Sequence, residues 1–301
     1  MAGRWAMDTI SDDDWLERLA SLRLAMLSAE HQRRAWHKPL MLLVALREVH
    51  AGRPRLREMS FYTDKVGSLL DQFQPAAAPG RQRARNPWLH LPNDRVWETS
   101  GNRARDHGGL PEPDWRQLRG DNALVQRSIG LLLHAYFPPT LHQDLTVALR
   151  LEHDLLPRTG ELIHDVPERV TILVSRLERT TTFVTEVLDT YRRTCVICGY
   201  NGNVRGQPVG VDAAHIRGLA DGGPDAAANG WALCVLHHRL FDRGLFSVDA
   251  ETLMLRVSPW FSVRPQADPL GPHADRPVTV PEEADLNRDQ LNWHAEVAFL
   301  T

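Results

Sequence analysis

The chain has 301 residues, 43% of them hydrophobic, and a formal net charge of −3; this length and composition predict two ordinary globular domains. The longest apolar run, Pro39 to Leu46, is too short to cross a bilayer, and M-A-G-R-W-A-M-D lacks the basic-then-apolar form of a secretion signal. Three cysteines cannot pair fully into a disulfide framework. The expectation is a soluble cytoplasmic protein without membrane contact.

Charge is polarised along the chain. Residues 74–109 hold six Arg against three acids, whereas residues 264–301 hold three Arg against seven acids. A small negative sum therefore does not exclude nucleic acid, because affinity follows local charge.

In chain order, Ser11 to Glu30 predicts an amphipathic helix. Ser11 and Asp14 make a capping-box-like start, and Trp15, Leu19, Leu22 and Met26 recur at helical spacing. The run H-K-P-L-M-L-L-V-A-L-R-E-V-H-A-G predicts a buried helix with Pro39 in its first turn and Gly52 as its stop. His37 and Lys38 then sit at its positive end, where phosphate can bind. Met59 to Phe73 predicts another helix. Gln74 to Asn86 reads as a basic loop, in which an extended chain would aim Arg81, Arg83 and Arg85 one way, beside Pro87 and Trp88. Trp88 to Glu98 predicts a hairpin around Pro92-Asn93-Asp94, followed by a Gly-rich loop. Helices are expected over Asp121 to Phe137, capped by Asp121, and over Thr140 to Leu151, with Thr140 and Gln143 as a capping box. Leu156 to Pro167 is punctuated by Pro and Gly and reads as a boundary, and Glu168 to Arg193 predicts a long helix. The expected division is a DNA-reading domain over 1–157, a linker and connecting helix over 158–193, and a catalytic domain over 194–301.

All three cysteines fall in one pattern: Cys195-x-x-Cys198 and, thirty-six residues later, Cys234-x-x-His237. Zn2+ favours four thiolate or imidazole ligands in a tetrahedron, and pairs two residues apart suit a tight knuckle, so these four read as a structural zinc site. A strand is expected through Val209 to Ile216, then a loop and a helix leading to His237 and His238. Leu245 to Val257 alternates like a hairpin turning at Asp249 to Glu251, residues 264–285 read as a strap, and 286–300 as a closing helix.

The runs D-A-A-H-I (212–216), G-G-P-D (222–225), N-G-W-A-L-C (229–234) and H-H-R-L-F-D-R-G (237–244) resemble the HNH nucleases. The resemblance implies a ββα-metal domain in which His215 is the general base, Asn229 orients it or binds metal, and His238 is a metal ligand. The place before the base, usually a ligand, holds Ala214, so Asp212 becomes the nearest candidate. The chemistry asks for these types. A neutral imidazole can take the proton of an attacking water, and Mg2+ or Mn2+ held by carboxylate and His stabilises the phosphorane charge. Arg217 and Arg243 are candidates to clamp phosphate oxygens.

A second set of runs, W-H-K-P-L-M-L-L, F-Y-T-D-K-V-G-S-L-L-D-Q-F, N-P-W-L-H-L-P-N-D-R-V-W-E and Y-F-P-P-T-L-H-Q-D-L, is similar to the sulfur-binding domain of phosphorothioation-dependent restriction endonucleases. The resemblance spans residues 15–152 and implies a mostly helical reader with a small β element. Sulfur is a poorer hydrogen-bond acceptor than oxygen, so an apolar dimple beside cations discriminates against the better-hydrated phosphate. Pro87, Trp88, Tyr136, Phe137 and Pro138 form the apolar pool, and Lys38, Lys65, Arg81, Arg83, Arg85, Arg103 and Arg105 the cationic one. The combined expectation is an α+β, two-domain, modification-dependent endonuclease of host defence acting on phosphorothioated double-stranded DNA, with homodimers as a route to cutting both strands. The alternatives are an HNH enzyme with another reader or none, and a DNA-binding protein whose nuclease has lost catalysis.

Overall fold

The computed structural model describes residues 12–25, 34–74, 78–151, 181–205 and 207–301. It divides into two compact units, one of Met1–Leu24, Trp36–Tyr136 and Leu145–Ser175, the other of Ala25–Ala35, Phe137–Asp144 and Arg176–Thr301. Among the described residues no helix is long and apolar enough to cross a membrane. The expected Ser11 cap, residues 26–30 of the first expected helix, the 156–167 boundary, most of the linker and the first half of the 168–193 helix lie outside the described residues.

In the first unit, helix α1 (Asp12–Ala20) buries Trp15, Leu16 and Leu19, and opens with three acids that suit its positive end. It ends at Ala20, and residues 21–25 leave the helix, short of the expected course to Glu30, whose residues 26–30 lie outside the described ones. The Leu19 carbonyl and the Leu22 amide, both needed to continue the ladder, are taken instead by the Tyr136 hydroxyl at 2.7 and 3.3 Å. Helix α2 (His37–His50) is buried on nearly every face, as its apolar run predicts, and the chain leaves it through Gly52 at φ +65°. Around it stand α3 (Met59–Phe73), which matches expectation, and α7 (Asn122–Tyr136). Asp121 caps α7 by accepting the Leu124 amide at 3.0 Å.

Two expectations fail in the middle of this unit. The Gln74–Asn86 loop contains α4 (Gly80–Arg83), so the arginines no longer alternate along an extended chain. A Cβ at Gly80 would meet the Gly67 carbonyl at 2.1 Å, and this missing side chain lets α4 lie against α3. The 88–98 hairpin is absent. Trp88 belongs to α5 (Arg85–His90), Leu91–Asp94 is a 3-10 turn, and Glu98–Thr99 is the only strand there. Tertiary packing overrides local pattern: Trp88 is fully buried against Tyr62 and Trp97, and its Nε1 donates to the Gly101 carbonyl at 2.8 Å. Strands β1 (Arg57–Glu58), β2 (Glu98–Thr99) and β3 (His107–Gly109) form an antiparallel sheet in the order β1-β3-β2, and α6 (Glu112–Gly120) precedes α7.

In the second unit, a 3-10 turn over Pro139–Leu141 leads into α8 (His142–Leu149), whose residues from Leu145 onward belong to the first unit. Thr140 donates to Asp242, and Gln143 accepts from Arg239. Helix α9 (Thr181–Thr190) packs on the hairpin of β6 (Val211–His215) and β7 (Gly230–Cys234), which follows the short pair β4 (Asn203–Val204) and β5 (Gln207–Pro208). Helix α10 (Val235–Asp242) carries His237 and His238 within it. Strands β8 (Phe246–Val248) and β9 (Leu255–Val257) form the predicted hairpin, its turn held by Asp249, which accepts from Glu251 and Thr252. Helix α11 (Arg288–Trp293) and a π-helical turn over His294–Ala298 close the unit. Trp231, Leu233, Phe241, Phe246 and Leu291 form the centre of its core.

Candidate active site

The knuckle is built on a turn that needs glycine. Gly199 has φ +72°, its amide reaches the Cys195 carbonyl at 2.9 Å, and the Val196 amide ties the turn to β7 through the Ala232 carbonyl at 3.0 Å. Donor atoms of Cys195, Cys198, Cys234 and His237 then lie within 4.8 Å of one another. His237 turns Nδ1 towards the sulfurs, at 3.1 Å from Cys234 and 3.6 Å from Cys195. Its Nε2 faces the Pro269 carbonyl at 3.1 Å, an outer contact that fixes tautomer and ring orientation. A hydrogen bond with Cys234 holds the Cys195 thiol well below its usual range against the effect of burial, and the same bond pushes Cys234 up. Three sulfurs and one imidazole around a common point can hold a metal ion.

His215 ends β6, opposite Gly230 of β7. Its ring lies flat on Phe183 of α9, with centroids 3.8 Å apart and planes 2° from parallel. Its Nε2 faces Asp225 Oδ1 at 2.9 Å. A Cβ at Gly230 would meet Val187 and Phe183 at 2.6 and 2.7 Å, so glycine there lets α9 settle onto the hairpin beside His215. His238 is buried on α10 between two carboxylates: Nδ1 is 3.1 Å from Asp212 Oδ2 and Nε2 is 3.6 Å from Asp242 Oδ2. Asp212 shares a strand face with Ala214, because side chains alternate along β6.

Asn229, expected to orient the base or bind an ion, turns its side chain to the backbone of the loop that carries Asp225, the partner of His215. It is fully buried, its Oδ1 accepts the Arg217 amide at 3.0 Å, and its Nδ2 donates to the Arg217 and Pro224 carbonyls at 2.9 and 2.8 Å. The amide is spent on the backbone of the loop between β6 and β7, which carries Asp225. The two arginines proposed as clamps are also engaged: Arg217 donates to the Asp221 carbonyl, and Arg243 meets Asp144 at 2.7 Å.

Sequence reasoning missed Asp225, Asp242 and Phe183. Asp225 was visible only as a turn residue. Asp242 stands four residues after His238 on a helix, a spacing that puts both on one face and could have identified it. Phe183 carried no signal.

The residues expected to read DNA scatter. Lys38 is buried against Asp94, Arg83 turns inward to the Gln74 and Ala78 carbonyls, Pro87 and Trp88 are buried, and Tyr136 holds the end of α1. These do not face solvent, because each satisfies or fills the interior. Phe137 is buried and Pro138 half-buried. Lys65, Arg81, Arg85, Arg103 and Arg105 are exposed. Arg81 and Arg85 line a cavity of about 420 Å³ with Met59, Pro79, Gln82 and Ala104. Lys65 lines a separate cavity of about 310 Å³ with Arg47, Arg53, Arg57 and Glu48, the last paired with Arg47 and Arg57.

Residues 12–154 match the family model of ScoMcrA-like DNA sulfur-binding domains, and residues 195–249 match that of HNH endonucleases. No curated protein matches the chain. Among solved structures, the sulfur binding domain of ScoMcrA complexed with phosphorothioated DNA is 24% identical, covering 48% of this chain and 98% of its own, with a TM-score of 0.39. The type IV phosphorothioation-dependent restriction endonuclease ScoMcrA is 14% identical over 75% of this chain and 94% of its own, with a TM-score of 0.38. The modification dependent TagI restriction endonuclease is 24% identical, with a TM-score of 0.32; 40% of this chain matches 38% of that one.

Proposed function

We propose that this chain, which joins a ScoMcrA-like DNA sulfur-binding domain to an HNH endonuclease domain, is a modification-dependent restriction endonuclease that recognises phosphorothioated double-stranded DNA and hydrolyses a phosphodiester bond near the modification. The observation that carries this reading is the occurrence of both domains in one chain, the second with an imidazole braced by a carboxylate, His215 on Asp225 at 2.9 Å.

His215 is the general base. With Nε2–H donated to Asp225, the basic lone pair stays on Nδ1, and the imidazole takes the proton of the attacking water there. Phe183 keeps the ring in plane, and Asn229 keeps the loop that supplies Asp225 in place. Asp212 and His238 are the residues that hold a divalent ion, Mg2+ or Mn2+. When bound, such an ion supplies charge stabilisation for the phosphorane and the leaving O3′ oxygen. The products are 5′-phosphate and 3′-hydroxyl ends. Cys195, Cys198, Cys234 and His237 hold a structural Zn2+, whose donor set and ordered outer contact they match.

In the reading domain, the cavity bearing Arg81 and Arg85 is the site for the sulfur-bearing phosphate. Met59, Pro79 and Ala104 give it an apolar floor that costs a well-hydrated oxygen more than sulfur, and the arginines supply charge. Arg103 and Arg105 flank Ala104 in sequence and extend the basic surface. One HNH centre cuts one strand at a time, so double-strand breaks call for a homodimer or two binding events. The enzyme works in the cytoplasm, where it meets DNA.

The test is His215→Ala. It is expected to abolish cleavage and leave binding to a phosphorothioated duplex intact. Loss of both would make His215 structural and remove its role as base.

A further inference from the structure

Asp242 has two neighbours that matter. Its Oδ2 accepts the hydroxyl proton of Thr140 and also stands 3.6 Å from Nε2 of His238. The other nitrogen of that ring faces Asp212 at 3.1 Å. Thr140 belongs to the 3-10 turn Pro139–Leu141, which lies in the same compact unit as α10. The turn is fixed by apolar burial on both sides, with Phe137 1% and Leu141 0% exposed.

The residues after the turn meet the same face of α10. Gln143 accepts from Arg239 at 2.8 Å, and Asp144 meets Arg243 at 2.7 Å and Arg239 at 3.8 Å. Arg239, Asp242 and Arg243 are three and four residues apart, so they share one helical face. Asp144 thereby engages Arg243, the cation next to Asp242 in sequence. The side chains of His238 and Asp242 are only 5% and 13% exposed, so water does little to weaken what passes between them.

We propose that Thr140 is a positioning residue of the nuclease centre. Through Asp242 it fixes the His238 imidazole, so that the nitrogen beside Asp212 is the one presented to a divalent ion. A histidine ligand must be neutral and in the right tautomer, and a carboxylate at its far nitrogen sets both the tautomer and the ring angle. At 3.6 Å the carboxylate guides the ring by charge rather than by a full hydrogen bond, so its own direction must be held. The Thr140 hydroxyl holds it. Thr140 lies in the stretch that matches the sulfur-binding model, outside the one that matches the nuclease model, so the centre depends on a residue beyond its own motif. This inference rests on the nuclease reading given above.

The experiment is Mn2+ binding to the full chain without DNA, by titration calorimetry, for the wild type, Thr140→Val and Thr140→Ser. Thr140→Val is expected to weaken Mn2+ binding about tenfold or more, and Thr140→Ser to restore it. Affinity for a phosphorothioated duplex should stay unchanged in both, and the melting temperature of Thr140→Val should fall by no more than the few degrees that one lost hydrogen bond costs. If Thr140→Val does not fold, Thr140→Ala decides the matter by the same criterion. Equal Mn2+ affinity in wild type and the hydroxyl-free variant would overturn this inference alone, as would a serine variant as weak as valine. A wild type that binds no Mn2+ would overturn the metal-centre reading and this inference with it.

Discussion

Replacing Asn229 with alanine separates two roles for one residue. The side chain is fully buried and makes three hydrogen bonds to loop backbone, at 3.0, 2.9 and 2.8 Å. Alanine would leave the Arg217 amide and the Arg217 and Pro224 carbonyls without their partner. At about 1 kcal/mol for each lost bond, the loss is about 3 kcal/mol. For a unit of this size that lowers the melting temperature by roughly 6–12 °C. The loop carries Asp225, so cleavage should fall as well. Binding of Mn2+ should survive in the folded variant, because the proposed ligands Asp212 and His238 are untouched. Melting by circular dichroism and Mn2+ titration read the two effects separately. An unchanged melting temperature with lost Mn2+ binding would refute the anchoring role and restore Asn229 as a ligand.

Other outcomes follow from the same geometry. His37 is held down to about 4 by burial and, secondarily, by Arg83. Its neutral form is favoured by folding, so stability is full above pH 6.5 and falls by about 3 kcal/mol as pH drops towards 4. Urea midpoints at pH 7 and pH 4.5 should show this loss, and His37→Phe should reduce it. Gly230→Ala would push a methyl group to within 2.6–2.9 Å of Val187 and Phe183, costing about 1–3 kcal/mol by overpacking in equilibrium unfolding. It should also lower cleavage, because Phe183 supports His215. Arg81→Ala with Arg85→Ala should weaken binding to phosphorothioated DNA and flatten its salt dependence by about two in log–log slope. Arg83→Ala should act on stability instead, since that side chain holds the Gln74 and Ala78 carbonyls.

Much of the nuclease half is legible in the sequence, because its signals are local. A C-x-x-C pair and a C-x-x-H pair each fix geometry over a few residues, and the four knuckle donors do converge. Asp212 was legible as the acid nearest the Ala214 place in a D-A-A-H-I run, and Asp242 stands at a helical spacing of four from His238. The backbone contacts of Asn229 and the pairing of Asp225 with His215 were not legible, since each depends on which backbone or ring a tertiary fold brings alongside. The reading half shows the same limit. Its buried helix over His37–His50 follows from apolar content, yet Trp88 left its predicted strand for an aromatic cluster with Tyr62 and Trp97 that no local pattern encodes. The three alternating arginines parted company because a helical turn at Gly80–Arg83 replaced an extended loop. Arg81 and Arg85 stayed outside, while Arg83 went in.

The most direct test of the account is cleavage of one duplex synthesised with and without a single stereodefined phosphorothioate, in Mg2+ or Mn2+, by the wild-type chain. Cutting of the sulfur-bearing duplex alone is the expected result. Equal cutting of both duplexes would contradict sulfur reading, and tight binding to the modified duplex without any cutting would contradict the nuclease centre.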